Sequence, residues 1–285
     1  MMKLIENTEF GGERPLFASR DIKLENVIIH AGESALKECA GVEARNCRFE
    51  GKYPFWHVDG FAVRDCVFTP GARAALWYSR DLTMTDTLVE APKMFREMDG
   101  IRLERVRIPD AQETLWHCRN VDLKNVEVGN ADYLFMHSED IRIRDYTHSG
   151  NYSFQYCRNV EIRNAVIHSK DAFWGTDNVT VFDSELHGEY LGWHSRNLRL
   201  VNCRISGTQP LCYAHGLIME NCVMAPDCDL AFEGSTLNAT IAGRITSVKN
   251  PTSGRICAEN IGEVIIDRNI KSPADCIITQ TKNYD

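Results

Sequence analysis

One nine-residue template recurs along this chain at intervals of 19 to 21 residues, and no other feature restricts its fold so tightly. The segments DIKLENVII, GVEARNCRF, GFAVRDCVF, DLTMTDTLV, GIRLERVRI, NVDLKNVEV, DIRIRDYTH, NVEIRNAVI, NVTVFDSEL, NLRLVNCRI and GLIMENCVM are copies of it. They begin at Asp21, Gly41, Gly60, Asp81, Gly100, Asn120, Asp140, Asn159, Asn178, Asn197 and Gly216. A degenerate copy starts near Met2. Beyond Thr236 the template fades, although Val264, Ile265 and Ile266, and again Cys276, Ile277 and Ile278, still read as strands.

Positions two and four of the template are apolar, as in Ile22/Leu24 and Val121/Leu123. Period-two alternation of this kind marks a short strand with one face buried. Position six is Asn or Asp in nearly every copy, from Asn26 to Asn221, with Arg105 as the exception. Asn and Asp tolerate bends and bond their own backbone, so this column predicts a tight corner. Stacked one rung apart, their side chains can also bond one another. Positions seven and nine are apolar again and give a second strand. A variable polar loop leads to a third, such as PFWHV, ALWYS or TLWHC.

Three strands and three corners per coil predict an all-β, single-stranded, right-handed parallel β-helix of about 12 coils. A left-handed helix would keep strict hexapeptides, and a leucine-rich repeat would keep its own leucine spacing; neither pattern is present. The expectation is one β-helix domain over 1–285, with regular coils over about 2–235 and an irregular cap over about 236–285.

Registering the coils turns positions into columns. Five residues before each start lie Leu36, Phe55, Leu76, Phe95, Leu115, Phe135, Phe154, Phe173 and Leu211, interrupted by Gly192; this is core. Four residues before lie Phe17, Lys37, Trp56, Trp77, Arg96, Trp116, Met136, Gln155, Trp174, Trp193 and Cys212, a column that holds all five tryptophans and should face outward. Three residues before lie Glu38, His57, Tyr78, Glu97, His117, His137, Tyr156, Gly175, His194 and Tyr213. Strict alternation would bury these polar groups, so a bend that exposes them is expected. Immediately before each start the charge alternates from Asp59 and Arg80 to Asp177 and Arg196, which predicts an ion-pair ladder that pins register.

Composition narrows the partners. A net charge of −8 without a basic run argues against nucleic acid and against an anionic membrane surface. No stretch approaches a transmembrane span, and the opening MMKLIENTEF lacks the apolar core of a signal peptide, so a soluble, cytoplasmic protein is expected. Eleven cysteines cannot all pair and no zinc-type double CxxC occurs, so they are read as small buried hydrophobes. His30, His168 and His187 share another corner and are read as solvated turn residues.

Three functions compete. In the first, an oligosaccharide binds along Trp56, His57, Trp77, Tyr78, Arg96, Trp116, Gln155, Tyr156, Trp174, Trp193, His194 and Tyr213. Aromatic faces would pack on sugar rings while polar neighbours bond hydroxyls. In the second, Glu97, His117 and His137 perform acid–base catalysis on a carbohydrate as lyase, hydrolase or epimerase. The spacing also permits a metal held by two His and one carboxylate, but no metal or other cofactor is assigned. In the third, the Trp strip is the interface of a homo-oligomer.

Over about residues 2–235 the template resembles the pectin-lyase-like superfamily of right-handed β-helices, and in detail it looks like a bacterial family within that architecture with no established activity. The resemblance implies the fold; superfamily members such as pectate lyases and polygalacturonases commonly use the outer face of one sheet. Their catalytic motifs are missing. Of a polygalacturonase-like set only Gly-Thr-Asp at 175–177 is present, without an Asp-Asp pair or a Gly-His-Gly. The one candidate for a lyase-like calcium cluster, Glu97 and Asp99 beside Arg96, is small.

Overall fold

A computed structural model of the protein describes residues 2–270 and 275–281. The chain is an all-β parallel solenoid of about 14 turns, and among the described residues its one helical element is the 3₁₀ turn Pro70–Ala72. It comprises two compact units, Met1–Thr147 and His148–Asp285.

In the first unit, β1 (Lys3–Glu13) and β2 (Arg20–Glu33) are long strands. The next coils divide at the template's sixth position into β3 (Ala40–Arg45) and β4 (Arg48–Phe49), β5 (Asp59–Arg64) and β6 (Val67–Phe68), and β7 (Arg80–Thr85) and β8 (Leu88–Val89). β9 (Asp99–Ile108) and β10 (Arg119–Val128) run on through the corner, and β11 (Glu139–Ser149) carries the chain into the second unit. From β1 to β10 each strand pairs in parallel with its equivalent in the neighbouring coil, so Ile22 lies beside Val42, Val42 beside Phe61, and Phe61 beside Leu82.

The second unit continues with β12 (Arg158–His168), β13 (Asp177–Phe182), β14 (Glu185–His187), β15 (Arg196–Val201), β16 (Arg204–Ser206) and β17 (Leu217–Met224). β18 (Thr236–Lys249), β19 (Ser253–Ile265) and β20 (Asp275–Gln280) follow. Where an irregular cap was expected, β18, β19 and β20 also stack in parallel, with a register shift between Ile241 and Arg244. The template fades there because the corner residues change, while the apolar alternation that builds the rungs persists. Val264, Ile265 and Cys276, Ile277 and Ile278 lie in these strands as read; parts of the expected cap, 271–274 and 282–285, lie outside the described residues.

The corners obey one backbone rule. Every template residue six from Asn26 to Asn221 has left-handed φ near 50–56°, Arg105 included. Asn and Asp accept that conformation at low cost. The amides bond along the column, as in Asn26 to Asn7 (3.0 Å), Asn202 to Asp183 (2.9 Å) and Asn221 to Asn202 (3.0 Å). Arg105 keeps the column's bonding by reaching both oxygens of Asp86 at 2.6 and 3.0 Å. The template's first residue, an Asp, Asn or Gly, is left-handed as well, which accounts for its composition.

Inside, the Phe/Leu column is fully buried, with Phe154 and Phe173 stacked at 5.1 Å. In most coils a small hydroxyl or thiol two residues before the start ties one rung to the next; Val58, Met98 and Ala214 are the exceptions. Ser138 Oγ accepts the Cys118 N–H at 2.9 Å and donates to the Leu115 carbonyl at 2.7 Å; Ser235 does the same for Ala214 and Leu211. Nine of the eleven cysteines are buried and all are free thiols. The charge ladder forms in part: Asp59–Arg80 (2.7 Å) and Asp99–Arg119 (2.9 Å) pair, whereas Asp177 accepts the amide of Asn197 at 3.1 Å.

Candidate functional site

The predicted bend at the Trp, His and Tyr columns is a three-residue corner. In Phe95-Arg96-Glu97, Leu115-Trp116-His117 and Phe135-Met136-His137, the first and third residues are left-handed and the middle one is not. Two reversals of φ abolish simple alternation: the first residue points into the core and the next two both face outward. Each third residue donates its N–H to the preceding column of the next rung, as in His57 to Trp77 O (3.1 Å), Glu97 to Trp116 O (3.0 Å) and His117 to Met136 O (3.0 Å). Register is therefore as read from the sequence.

In the first unit the tryptophans are half-buried and committed to their surroundings. Trp56 and Trp77 lie 5.7 Å apart, and Tyr53 meets Trp56 edge-on at 4.8 Å. The Arg96 guanidinium lies 5.0 Å from the Trp77 ring and 4.2 Å from the Trp116 ring. It also pairs with Glu113 at 2.8 Å, leaving its buried Nε unpartnered. Partial burial pushes Glu113 up, but bonds from Lys93 and Arg96 outweigh it and hold the carboxyl below the usual range. The indole N–H groups of Trp77 and Trp116 go to the carbonyls of Lys93 and Tyr133. These rings brace the loops; what remains open to a ligand is the following column.

That column is exposed. Tyr78 is 48% accessible, and His57, Glu97, His117 and His137 are all exposed. His57 stands 5.3 Å from Tyr78, and His117 stacks on His137 at 5.2 Å with rings 4° from parallel. Glu97, His117 and His137 line one open concavity of about 360 Å³ together with Asp99, Arg119 and Glu139. Sequence reasoning grouped the first three on consecutive rungs and set Asp99 beside Glu97 as a small carboxylate cluster; it assigned Arg119 and Glu139 to the register ladder alone. Enclosure of its ring, and then the neighbouring His117, hold His137 below the ordinary imidazole range. The Glu97 carboxylate makes no hydrogen bond or ion pair among the described residues. Among the described residues no cluster of three His, Cys, Asp or Glu is arranged to hold a metal.

The second unit carries Gln155, Tyr156, Trp174, Trp193, His194 and Tyr213. Trp174 and Trp193 stack at 5.7 Å, His194 stacks on Tyr213 at 5.2 Å, and the Trp193 N–H donates to Gln209 O at 2.7 Å. Gln155 is half-buried beside Tyr156, which is 47% accessible. Tyr156 leans over Gly175, where a Cβ would sit 2.8 Å from two ring atoms. Tyr213 leans over Gly234 in the same way, so these glycines make room for outward rings.

His30, His168 and His187 are strand residues with partners where turn residues were expected, and His30 and His168 are exposed as read. His30 bridges Glu9 (2.8 Å) and Glu50 (3.2 Å) from the rungs on either side. His168 stacks on His187 at 4.6 Å, and His187 contacts Ser206 at 2.7 Å.

Residues 3–279 match the family model described as "Protein of unknown function (DUF3737)". The chain belongs to the DUF3737 family. No curated protein matches this DUF3737 chain. Among solved structures it is similar to the A-module of mannuronan C-5 epimerase AlgE4 from Azotobacter vinelandii, with 8% identity over 99% of this chain and 90% of that one, and a TM-score of 0.35. It is also similar to PfbA, a surface adhesin of Streptococcus pneumoniae (5% identity, 97% and 85% coverage, TM-score 0.39). The periplasmic alginate epimerase AlgG is a third (7% identity, 98% and 74% coverage, TM-score 0.30). The family match and the chain's own parallel rungs bear out the β-helix family without established activity read from the template; identities and TM-scores this low say nothing of activity.

Proposed function

We propose that this DUF3737 chain binds a carbohydrate on its outward His/Tyr/Glu column, with the concavity around Glu97, His117 and His137 as the contact surface of the first unit. Tyr156, His194 and Tyr213 form the equivalent surface of the second. The observation that carries the reading is the exposure of donor- and acceptor-bearing rings at rung spacing, seen in His57–Tyr78, His117–His137 and His194–Tyr213. A repeating polyol offers hydroxyls for such groups and apolar CH faces for their rings. The tryptophans behind them act as supports, since loop carbonyls hold three of the five N–H groups. A glycan array followed by titration with the best oligosaccharide tests it. Tyr78→Ala and His117→Ala should each weaken binding about five- to tenfold, the range of a well-packed contact. Absence of any glycan binding, or unchanged affinity in the double variant, overturns the reading.

One observation favours acid–base chemistry as a second reading: His137 is held toward its neutral form, which can accept a proton. Glu97 and His117 would then be its partners. This reading requires a turnover that His137→Gln loses while binding persists, and fails if that variant turns over like the parent.

A further inference from the structure

We infer that two pairs of stacked cysteines, Cys47 with Cys66 and Cys203 with Cys222, are oxidation sites that a peroxide closes to disulfides. All four fill the template's seventh position, one residue past the Asn/Asp corner. Paired residues on either side fix their register. Arg45 lies beside Arg64 and Arg48 beside Val67, so Cys47 stands opposite Cys66. Val201 beside Glu220 and Arg204 beside Val223 set Cys203 opposite Cys222 in the same way. Facing residues on neighbouring parallel strands lie about 4.8 Å apart, inside the Cα span of about 4.4–6.8 Å that a disulfide bridges. The Cys47 N–H donates to Cys66 Sγ at 3.3 Å, which brings that sulfur to the neighbouring rung. No other cysteines of the described chain face each other on adjacent rungs. Cys39, Cys118 and Cys157 share one column but are separated by Val58, Ser79 and Met98, and by Ser138.

The two thiols of a pair are not equivalent. A hydrogen bond from Cys66, working against burial, holds Cys47 below the ordinary thiol range, and the same contact together with burial pushes Cys66 up. The second pair repeats this, with Cys222 lowered by Cys203 and Cys203 raised. The thiolate is the nucleophile, so Cys47 and Cys222 react first. The thiolate sulfur attacks one oxygen of hydrogen peroxide, the O–O bond breaks, and a sulfenic acid and one water form. The partner sulfur then attacks the sulfenic sulfur. The S–S bond forms, the S–O bond breaks, and the departing hydroxide takes the partner's proton to leave as a second water. Each thiol also donates to the carbonyl two residues before it, at 3.1–3.6 Å, and one such bond per pair is given up as the disulfide closes. All four cysteines are buried, but the residue before each, Asn46, Asp65, Asn202 or Asn221, is exposed. A small oxidant therefore enters by local opening of the corner.

The test treats the full chain with hydrogen peroxide under native conditions, blocks the remaining thiols, and maps disulfides by mass spectrometry of an unreduced digest. Peptides linked through Cys47–Cys66 and Cys203–Cys222 should appear while the far-ultraviolet circular dichroism spectrum stays unchanged. Thiols counted in denaturant should fall from eleven to seven, and dithiothreitol should restore all eleven. Cys66→Ser should lose the first link, keep the second, and leave Cys47 as a sulfenic acid that dimedone captures. Serine already serves in this column, where Ser184 Oγ accepts the Ala165 N–H at 3.0 Å, so the variant keeps the fold. The inference is wrong if neither link forms, if the links run instead to Cys39, Cys118 or Cys157, or if Cys47 of the variant takes no dimedone.

Discussion

His30 shows how a single residue can tie rungs together. Its two ring nitrogens contact Glu9 and Glu50, and Glu50 is itself held by Arg48 at 2.8 Å. Two carboxylates can both be bonded only by an imidazolium, which donates from each nitrogen. The bond to Glu9 first, then that to Glu50, raise the pKa of His30. A raised folded-state pKa adds stability that is fully present below the unfolded value, about 6.5, and is lost as pH rises through the folded value. The melting-temperature difference between the parent and His30→Gln should therefore be largest in mildly acidic solution and shrink through neutral pH. A difference that is flat across that range, or that grows with pH, would show that the bridge makes no such contribution.

At the scale of the element, the coil is a set of rigid strands joined by left-handed corners. Asn46 has φ 51° and donates to Asn26 along the amide column. Asn46→Ala removes the bond and keeps a Cβ in the left-handed region, so it should cost about 1–2 kcal/mol in urea-induced unfolding. Asn46→Gly loses the same bond but relaxes the backbone, and should cost less. Equal costs would assign the column to side-chain bonding alone. The same rule was visible at the Trp corner in retrospect. Neither flanking column, Leu36 to Leu211 or Glu38 to Tyr213, contains a Val, Ile or Thr, although those residues fill the strands. β-Branched side chains fit the left-handed region poorly, so their absence is the signal that two reversals of φ stand there. Alternation by itself could only pose the problem of polar residues facing inward.

For the whole molecule, charge is the property that local structure does not set. With a net charge of −8 and many of its Lys and Arg in ion pairs, some of them across rungs as in Arg80–Asp59 and Arg199–Glu220, polyanions meet no attractive field. The protein should pass through a heparin column at low salt without retention; retention that weakens with salt would reveal a basic surface. Each unit buries its own Phe stack, Phe49 on Phe68 in the first and Phe154 on Phe173 in the second. Among the described residues no helix is long and apolar enough to cross a membrane.

The template by itself determined the parallel rungs, the register, the Asn/Asp corner and the membership of each column, because a repeat folded on itself makes every position answer to equivalent neighbours. Beyond Thr236, where the template fades and an irregular cap was expected, only the structure showed parallel rungs carried on by apolar alternation. Only the tertiary structure decided how the columns divide their work. Backbone reversals turned His57, Tyr78, Glu97, His117 and His137 outward, and loop carbonyls together with Arg96 took up the tryptophans. Asp99, Arg119 and Glu139 became walls of a concavity as well as rungs of a ladder. Those outcomes depend on which groups meet across coils of unequal length, and distances between loops some twenty residues apart are not encoded in any local period.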